Sequence, residues 1–303
     1  MAHYRLWTLC LMIQFVAACG ASTQPMRPAN SVAQQPSPAS PSTSSSASAY
    51  PSSLNTEQLR QLARAKQLNE KAHELWEQGH YHDGLSLCEE ALTVQEGILG
   101  PWHPEVAFTL NYLASIHQQE GRAEEARLAY ERALAIREKA FGPESLEVAK
   151  SLNNLADWRR ERSDYAGARP LLLRALSIRE QQLGKKHPAV AFSMTALARV
   201  EEEVGATARA RTLYEGALHI QESAPGVDGY DLGMTLNDLG GLHHRAGNFE
   251  QARQYYDRAL ALFQPMPGRG QDFLAITLTN LGTLRQHTGD LAGARRLYEQ
   301  ALR

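Results

Sequence analysis

Apolar residues between positions 105 and 140 recur at the three- and four-residue spacing of two amphipathic helices. In the stretch 105–120 the apolar face consists of Val106, Leu110, Leu113, Ala114 and Ile116. In the stretch 123–140 it consists of Ala126, Tyr130, Ala133, Leu134 and Ile136. Gly121 separates the stretches, and Gly142 with Pro143 follows the second one. Each stretch predicts a helix of about 16 residues, or about 24 Å at 1.5 Å per residue.

The same two-helix pattern returns along the chain at a fixed interval. The dipeptide Ala-Leu occurs six times, 42 residues apart, at 91–92, 133–134, 175–176, 217–218, 259–260 and 301–302. Glycines at 79, 121, 205, 247 and 289 keep this interval with Ser163 in the one gap, and a second series lies at 100, 142, 184, 226 and 268. A fixed period of this length predicts a repeat array, in which each unit stacks on its neighbours. We therefore expect an all-α solenoid of six helix pairs over residues 57–303.

Three motifs resemble the 42-residue tetratricopeptide repeats of kinesin light chains. They are Leu152-Asn153-Asn154-Leu155-Ala156, the run from Ala126 to Glu138, and Leu183-Gly184-Lys185-Lys186-His187-Pro188. The resemblance covers roughly residues 61–303, although Cys88 stands where later units have tyrosine. It implies a right-handed superhelix whose first helices line a concave groove for a protein or peptide partner.

The resemblance also points to candidate groove residues. By register with the family, these include Asn111, Asn153 and Asn237, followed one or two turns later by Gln118, Arg160, Arg199 and His244. An asparagine carries both a donor and an acceptor, so it can pair with the backbone of a peptide of any sequence. The alternative is that these asparagines only bridge adjacent helices, and the sequence leaves both interpretations open.

The first 19 residues differ from the repeats and predict export. Residues 1–18 place Arg5 before about twelve mostly apolar residues, too few to span a bilayer, which is typical of a signal peptide. Val16-Ala17-Ala18-Cys19 resembles the bacterial lipobox, in which the cysteine is lipidated. Ordinary cleavage of a secreted protein and an uncleaved anchor are the alternatives. With Gly20 after the cysteine, the resemblance implies a lipid anchor in the bacterial envelope, at the outer membrane where there is one.

Residues 19–56 are rich in serine, proline, alanine, threonine and glutamine. Such a composition cannot bury enough apolar surface to offset the entropy of ordering, so we expect a disordered tether. Its reach as a coil is roughly 30 Å. It would hold the array away from a membrane that the chain contacts only through its lipid.

Motifs for chemistry are absent from the sequence. It contains no Gly-x-Ser-x-Gly, phosphate-binding loop, His-Glu-x-x-His or Cys-x-x-Cys. The histidines are dispersed, and Cys88 falls at a core position of a second helix. The formal net charge is −2, without a stripe of basic and aromatic residues. We therefore expect no enzyme, no cofactor, no metal site and no nucleic-acid partner.

The last predicted helix, from about Leu291 to Arg303, is shorter than its predecessors and lacks a polar capping helix. Either its apolar residues stay partly uncovered or the chain is a fragment, and the pattern favours a fragment. We expect a scaffold that binds a protein or peptide partner. The alternatives are the recruiting arm of a larger exported enzyme, such as a caspase-like peptidase, and a structural envelope component that self-associates through its uncovered end.

Overall fold

The computed structural model describes residues 50–51, 53–224, 227, 229–266 and 268–302. In this part of the chain the backbone forms twelve α-helices and no β-strand. The first helices of the six pairs are α1 (Thr56–Glu77), α3 (Pro104–Gln119), α5 (Leu146–Glu161), α7 (Pro188–Glu203), α9 (Gly229–Arg245) and α11 (Arg269–His287). The second helices are α2 (Tyr81–Leu99), α4 (Ala123–Phe141), α6 (Tyr165–Leu183), α8 (Thr207–Ser223), α10 (Phe249–Phe263) and α12 (Leu291–Ala301). The predicted all-α array of helix pairs is confirmed.

Backbone geometry explains why helices end where the glycine series predicts. Gly100, Gly142 and Gly184 follow α2, α4 and α6 at φ of 84°, 82° and 81°, and the N–H of each bonds to a carbonyl four residues earlier. Glycine adopts this left-handed conformation without a steric cost. Ser163 adopts it at φ 61° after α5, where the glycine series has its gap. The helices α2, α4 and α6 therefore stop at the same point of the repeat.

Histidine–proline pairs start two of the first helices. The Nδ1 atom of His103 accepts a hydrogen bond from the N–H of Glu105 at 3.3 Å, and that of His187 accepts from Ala189 at 3.1 Å. The proline that follows has no N–H to satisfy at the first helical position. His103 and His187 therefore act as N-terminal caps of α3 and α7.

Small and aromatic side chains of the second helices form the core between repeats. Each second helix packs against its own first helix, and the first five also pack against the first helix of the next pair. The alanines of the Ala-Leu series at 91, 133, 175, 217 and 259 are completely buried. Tyr130, Tyr214 and Tyr256 are at most 1% exposed, and Cys88 is completely buried at their equivalent position, where burial raises the pKa of its thiol to about 12. Cys88 is therefore a core residue.

The two ends of the array carry local contacts of their own. The side chain of Asn55 caps α1 by accepting from the N–H of Gln58 at 2.9 Å, and the ring of Tyr50 stacks on His103. At the other end, Leu302 is 54% exposed and Leu291 is 67% exposed. Self-association through this end stays a prediction.

The signal segment, Cys19 and residues 20–49 of the tether lie outside the described residues. Among the twelve helices described, none combines the length and the apolar character that crossing a bilayer requires.

Candidate partner-binding face

The six first helices lie side by side, since each packs against the first helix of the next pair. We call the surface that α1, α3, α5, α7, α9 and α11 form the first-helix face. All seven predicted groove residues lie on these helices. The structure therefore brings them to one face of the array, one repeat apart.

The three asparagines are buried between repeats. Asn111, Asn153 and Asn237 are only 1–6% exposed. Asn237 Oδ1 accepts hydrogen bonds from Thr277 Oγ1 at 3.3 Å and from Asn280 Nδ2 at 3.1 Å, both on the next first helix. These contacts directly support the bridging interpretation for Asn237.

The side-chain oxygens of the other two asparagines also accept hydrogen bonds from the next first helix. Asn111 Oδ1 accepts from Asn154 Nδ2 at 3.3 Å, and Asn153 Oδ1 accepts from Ser193 Oγ at 3.4 Å. Asn153 Nδ2, by contrast, is buried without a hydrogen-bond partner in the described part of the chain. Contact of these asparagines with a ligand stays a prediction.

The predicted charged and polar groove residues also have partners within the array. Arg199 Nε donates to Asp238 of the next repeat at 2.7 Å, whereas Arg160 Nη2 donates to Asp157 of its own helix at 2.9 Å. Gln118 accepts from the Tyr130 hydroxyl at 3.0 Å and donates to the Glu161 carboxylate.

His244 belongs to the same set. His244 Nε2 lies 2.8 Å from His287 Nδ1, and burial, followed by the neighbouring His287, lowers the pKa of His244. The lowered pKa favours the neutral form of His244, and its contact with His287 joins α9 to α11.

The bridging interpretation gives a testable expectation for stability. We expect Asn237→Ala to lower the free energy of unfolding by about 1–2 kcal/mol, because the half-buried amide of Asn280 loses its acceptor, whereas Thr277 keeps its hydrogen bond to the carbonyl of Phe273. Asn153→Ala removes one long hydrogen bond and should cost less. Urea denaturation of both variants measures the difference. If Asn237→Ala instead leaves the unfolding curve unchanged and weakens partner binding, the residue contacts the ligand.

Two arginines that sequence analysis missed reach the first-helix face from the second helices. Arg137 of α4 is 7% exposed and donates to Ser151 Oγ of α5 at 2.7 Å. Arg179 of α6 is 3% exposed and donates to Ser193 Oγ of α7. No carboxylate lies within 4 Å of either guanidinium among the residues that the structure describes. Each is therefore a buried cation that donates to a neutral hydroxyl, and Arg179 also donates to the carbonyl of Ala189 at 3.4 Å.

Burial dominates the electrostatics of this pair. It lowers the pKa of both guanidinium groups to about 10, against the weaker opposing charge of Glu147 at Arg137, so both remain charged at neutral pH. Lys150 lies nearby on α5. Burial lowers the pKa of its ammonium group most, Glu147 opposes this effect, and the two arginines lower the pKa further. Three cations therefore share this part of the first-helix face.

The repeat itself shows that the fold does not require a charge at this position. The equivalent positions in other repeats hold Gln95, Gln221 and Phe263, all neutral. Gln95 accepts from Thr109 at 2.6 Å, in the place where Arg137 meets Ser151. This contrast cannot be seen within one repeat, but it is visible when the five repeats that contain the position are aligned at 42-residue steps.

No group of three or more histidine, cysteine, aspartate or glutamate side chains in the described ranges converges so as to hold a metal ion.

Comparison with known proteins identifies the repeat. The sequence model of the tetratricopeptide repeat matches residues 64–139, 109–181, 147–223 and 231–303. No curated protein matches the chain. Among solved structures, BtubC (BKLC) from P. vanneervenii is 22% identical over 82% of this chain and 90% of its own, with a TM-score of 0.56. Kinesin light chain TPR-like repeats from Podosopora anserina are 22% identical over 66% of this chain and 95% of their own, with a TM-score of 0.55.

A third structure, a Rap protein complexed with competence and sporulation factor, is 15% identical over 79% of this chain, with a TM-score of 0.64. This chain covers 64% of that protein. At these identities the likeness establishes the fold, including the predicted similarity to kinesin light chain repeats. Because the repeat model matches in successive segments over more than half of the sequence, the chain belongs to the tetratricopeptide repeat family.

Proposed function

We propose that this protein is a membrane-tethered scaffold whose first-helix face binds an extended segment of a protein partner through the partner's carboxylate groups. The observation that carries the proposal is the pair of buried guanidinium groups, Arg137 and Arg179, without a carboxylate partner in the described chain. A buried charge is costly unless it is paired. The same chain tolerates neutral residues at the equivalent positions, so an incoming anion explains the charge better than the fold does.

Two further observations support a binding role. Tetratricopeptide arrays, the family that matches this sequence, are generally scaffolds without catalytic activity. The Rap protein, which shares the fold, was solved in complex with competence and sporulation factor. An extended array of stacked helices also offers a long surface to a partner.

Selection of peptides from a random library tests the proposal directly. The immobilised chain is panned against displayed random dodecapeptides, and the recovered sequences are compared with those recovered on bare support. We expect enrichment of peptides that contain aspartate or glutamate. Recovery of no specific peptide, or of peptides in which acidic residues are not enriched, would contradict the proposal.

The membrane tether rests on the sequence of residues 16–19 and has its own test. We expect Cys19→Ala to move the protein from the membrane to the soluble fraction of a bacterial host and to abolish labelling by palmitate. Cys88→Ala is the matched control, because Cys88 is completely buried and should not affect lipidation. If Cys19→Ala stays in the membrane fraction, the lipid anchor is wrong.

A further inference from the structure

Aromatic side chains form a continuous row on the first-helix face of the first two helix pairs. The ring of Phe108 meets that of Tyr112 edge-on at a centroid distance of 5.2 Å, Tyr112 lies 5.5 Å from His73, and His73 lies 6.3 Å from Trp76. Phe108 is 38% exposed. We call these four residues the aromatic row; it spans α1 and α3.

Two tryptophan rings elsewhere in the chain each have one of its own cations over them. Lys139 Nζ lies 4.6 Å from the ring centroid of Trp102, and the guanidinium of Arg162 lies 5.6 Å from that of Trp158. In the described part of the chain, no lysine or arginine lies over Trp76, Tyr112 or Phe108.

The repeat makes this difference informative at Phe108. Phe192 occupies the equivalent position two repeats later, and the Arg179 guanidinium lies 5.6 Å from its ring centroid. The residue equivalent to Arg179 near Phe108 is Gln95, which is neutral and bonds to Thr109. Phe108 therefore lacks the cation that Arg179 supplies to Phe192 at the equivalent position.

The surroundings of the row are negative. Burial, and then the charges of groups that include Glu70 and Glu77, raise the pKa of Tyr112. Tyr112 is 8% exposed, and its hydroxyl makes no hydrogen bond in the described chain. Glu70 is exposed on α1 and forms no ion pair with another described residue. Aromatic faces beside carboxylates attract cations through the ring quadrupole and through charge.

We infer that the aromatic row and Glu70 form a subsite for a basic side chain, lysine or arginine, of the partner that the first-helix face binds. This inference rests on the proposed function and adds to it. The ammonium or guanidinium group lies on the ring face of Phe108, near the Tyr112 hydroxyl and the Glu70 carboxylate. A partner segment would thus present a basic residue to the first two repeats and acidic residues to Arg137 and Arg179.

A pair of small probes isolates the cation. N-acetyl-lysine methylamide and its neutral isostere N-acetyl-norleucine methylamide are each titrated into the isotopically labelled full chain, and NMR follows the indole N–H of Trp76 and the ring signals of Tyr112. We expect a saturable shift with the lysine compound and none with the norleucine compound. The indole signals of Trp102 and Trp158 should stay in place, because those rings already face Lys139 and Arg162.

Variants copied from other repeats locate the site. Gln95→Arg introduces the residue found at the equivalent positions 137 and 179. It should place the chain's own cation over Phe108 and abolish the NMR shift caused by the lysine compound. Phe108→Ile copies Ile276 and should weaken lysine binding about threefold to fivefold. Phe192→Ile is the matched control and should change nothing. Unchanged Trp102 and Trp158 signals show that each variant is folded.

Equal shifts with both probes, or full lysine binding by Gln95→Arg and Phe108→Ile, would overturn the inference. The double variant Arg137→Gln with Arg179→Gln should retain the lysine shift while it loses acidic peptides. Failure of the cation subsite therefore remains distinguishable from failure of the proposed function.

Discussion

Replacing Phe263 with alanine should lower the free energy of unfolding by about 3–5 kcal/mol. Phe263 is completely buried at the end of α10, where its ring lies 5.6 Å from Phe273 and 6.1 Å from Tyr230. Gly233 faces the same ring, and a Cβ atom there would lie 2.6 Å from it. Because the glycine has no side chain that could fill the space, truncation leaves a cavity between the fifth and sixth helix pairs.

Two measurements check this expectation. The stability of a repeat array is a sum of local terms, so urea denaturation is combined with hydrogen exchange. Hydrogen exchange should show that amide protection is lost in α9, α10 and α11 and retained in α3 to α5. Leu128→Ala is the control, because Leu128 is 53% exposed and its truncation should change stability by at most about 0.5 kcal/mol. If Phe263→Ala lowers the free energy of unfolding by less than about 1 kcal/mol, neighbouring side chains fill the space between the fifth and sixth helix pairs and the expectation is wrong.

Helix positions could be predicted closely from the sequence because local signals fix them. The predicted helix at 105–120 is Pro104–Gln119, and the one at 123–140 is Ala123–Phe141. Three signals act within a few residues of a helix end: a left-handed glycine or serine after the helix, a proline at its first position, and the spacing of apolar residues along it. Those signals repeat closely in the first three helix pairs, whereas α8 and α10 end at Ser223 and Phe263, two and four residues short of the 42-residue register.

The orientation of polar residues on the first helices could not be predicted in the same way. The repeat period is 42 residues, but contacts between repeats join residues at other separations, such as Asn153 with Ser193 and Asn111 with Asn154. Whether an asparagine faces a ligand or a neighbouring helix depends on how far one repeat is rotated against the next. That rotation is a property of the packed array and has no local sequence signal.

The arginine pair was missed for a different reason. Arg137 and Arg179 directly follow the core residues Ile136 and Ile178, and in a single repeat each has the pattern of a surface residue at the end of a helix. Their burial results from the first helix of the next pair, which covers them. The sequence did contain one signal. The repeat position of Arg137 and Arg179 holds glutamine, arginine or phenylalanine, whereas the alanine of the Ala-Leu series does not vary.

The double variant Arg137→Gln with Arg179→Gln should reduce affinity for acidic peptides about tenfold to a hundredfold without loss of stability. A hydrogen bond to a charged group contributes about 1.5–3 kcal/mol, and each arginine that meets a carboxylate loses one or more. The unliganded array, by contrast, should be as stable as before or more stable, because burial disfavours both charges and glutamine occupies this position in two other repeats. Fluorescence anisotropy with a selected acidic peptide, at several salt concentrations, measures the affinity.

Arg174→Gln is the matched control for this experiment. Arg174 lies on the same helix as Arg179 but pairs with Glu138 of the preceding repeat and is one-third exposed. It should therefore affect neither peptide affinity nor its dependence on salt. If the double variant unfolds, the arginines serve the fold; if it binds acidic peptides as tightly as the original chain, they are not the anion site. Only the combination of retained stability and lost affinity supports a scaffold that keeps buried cations for a partner.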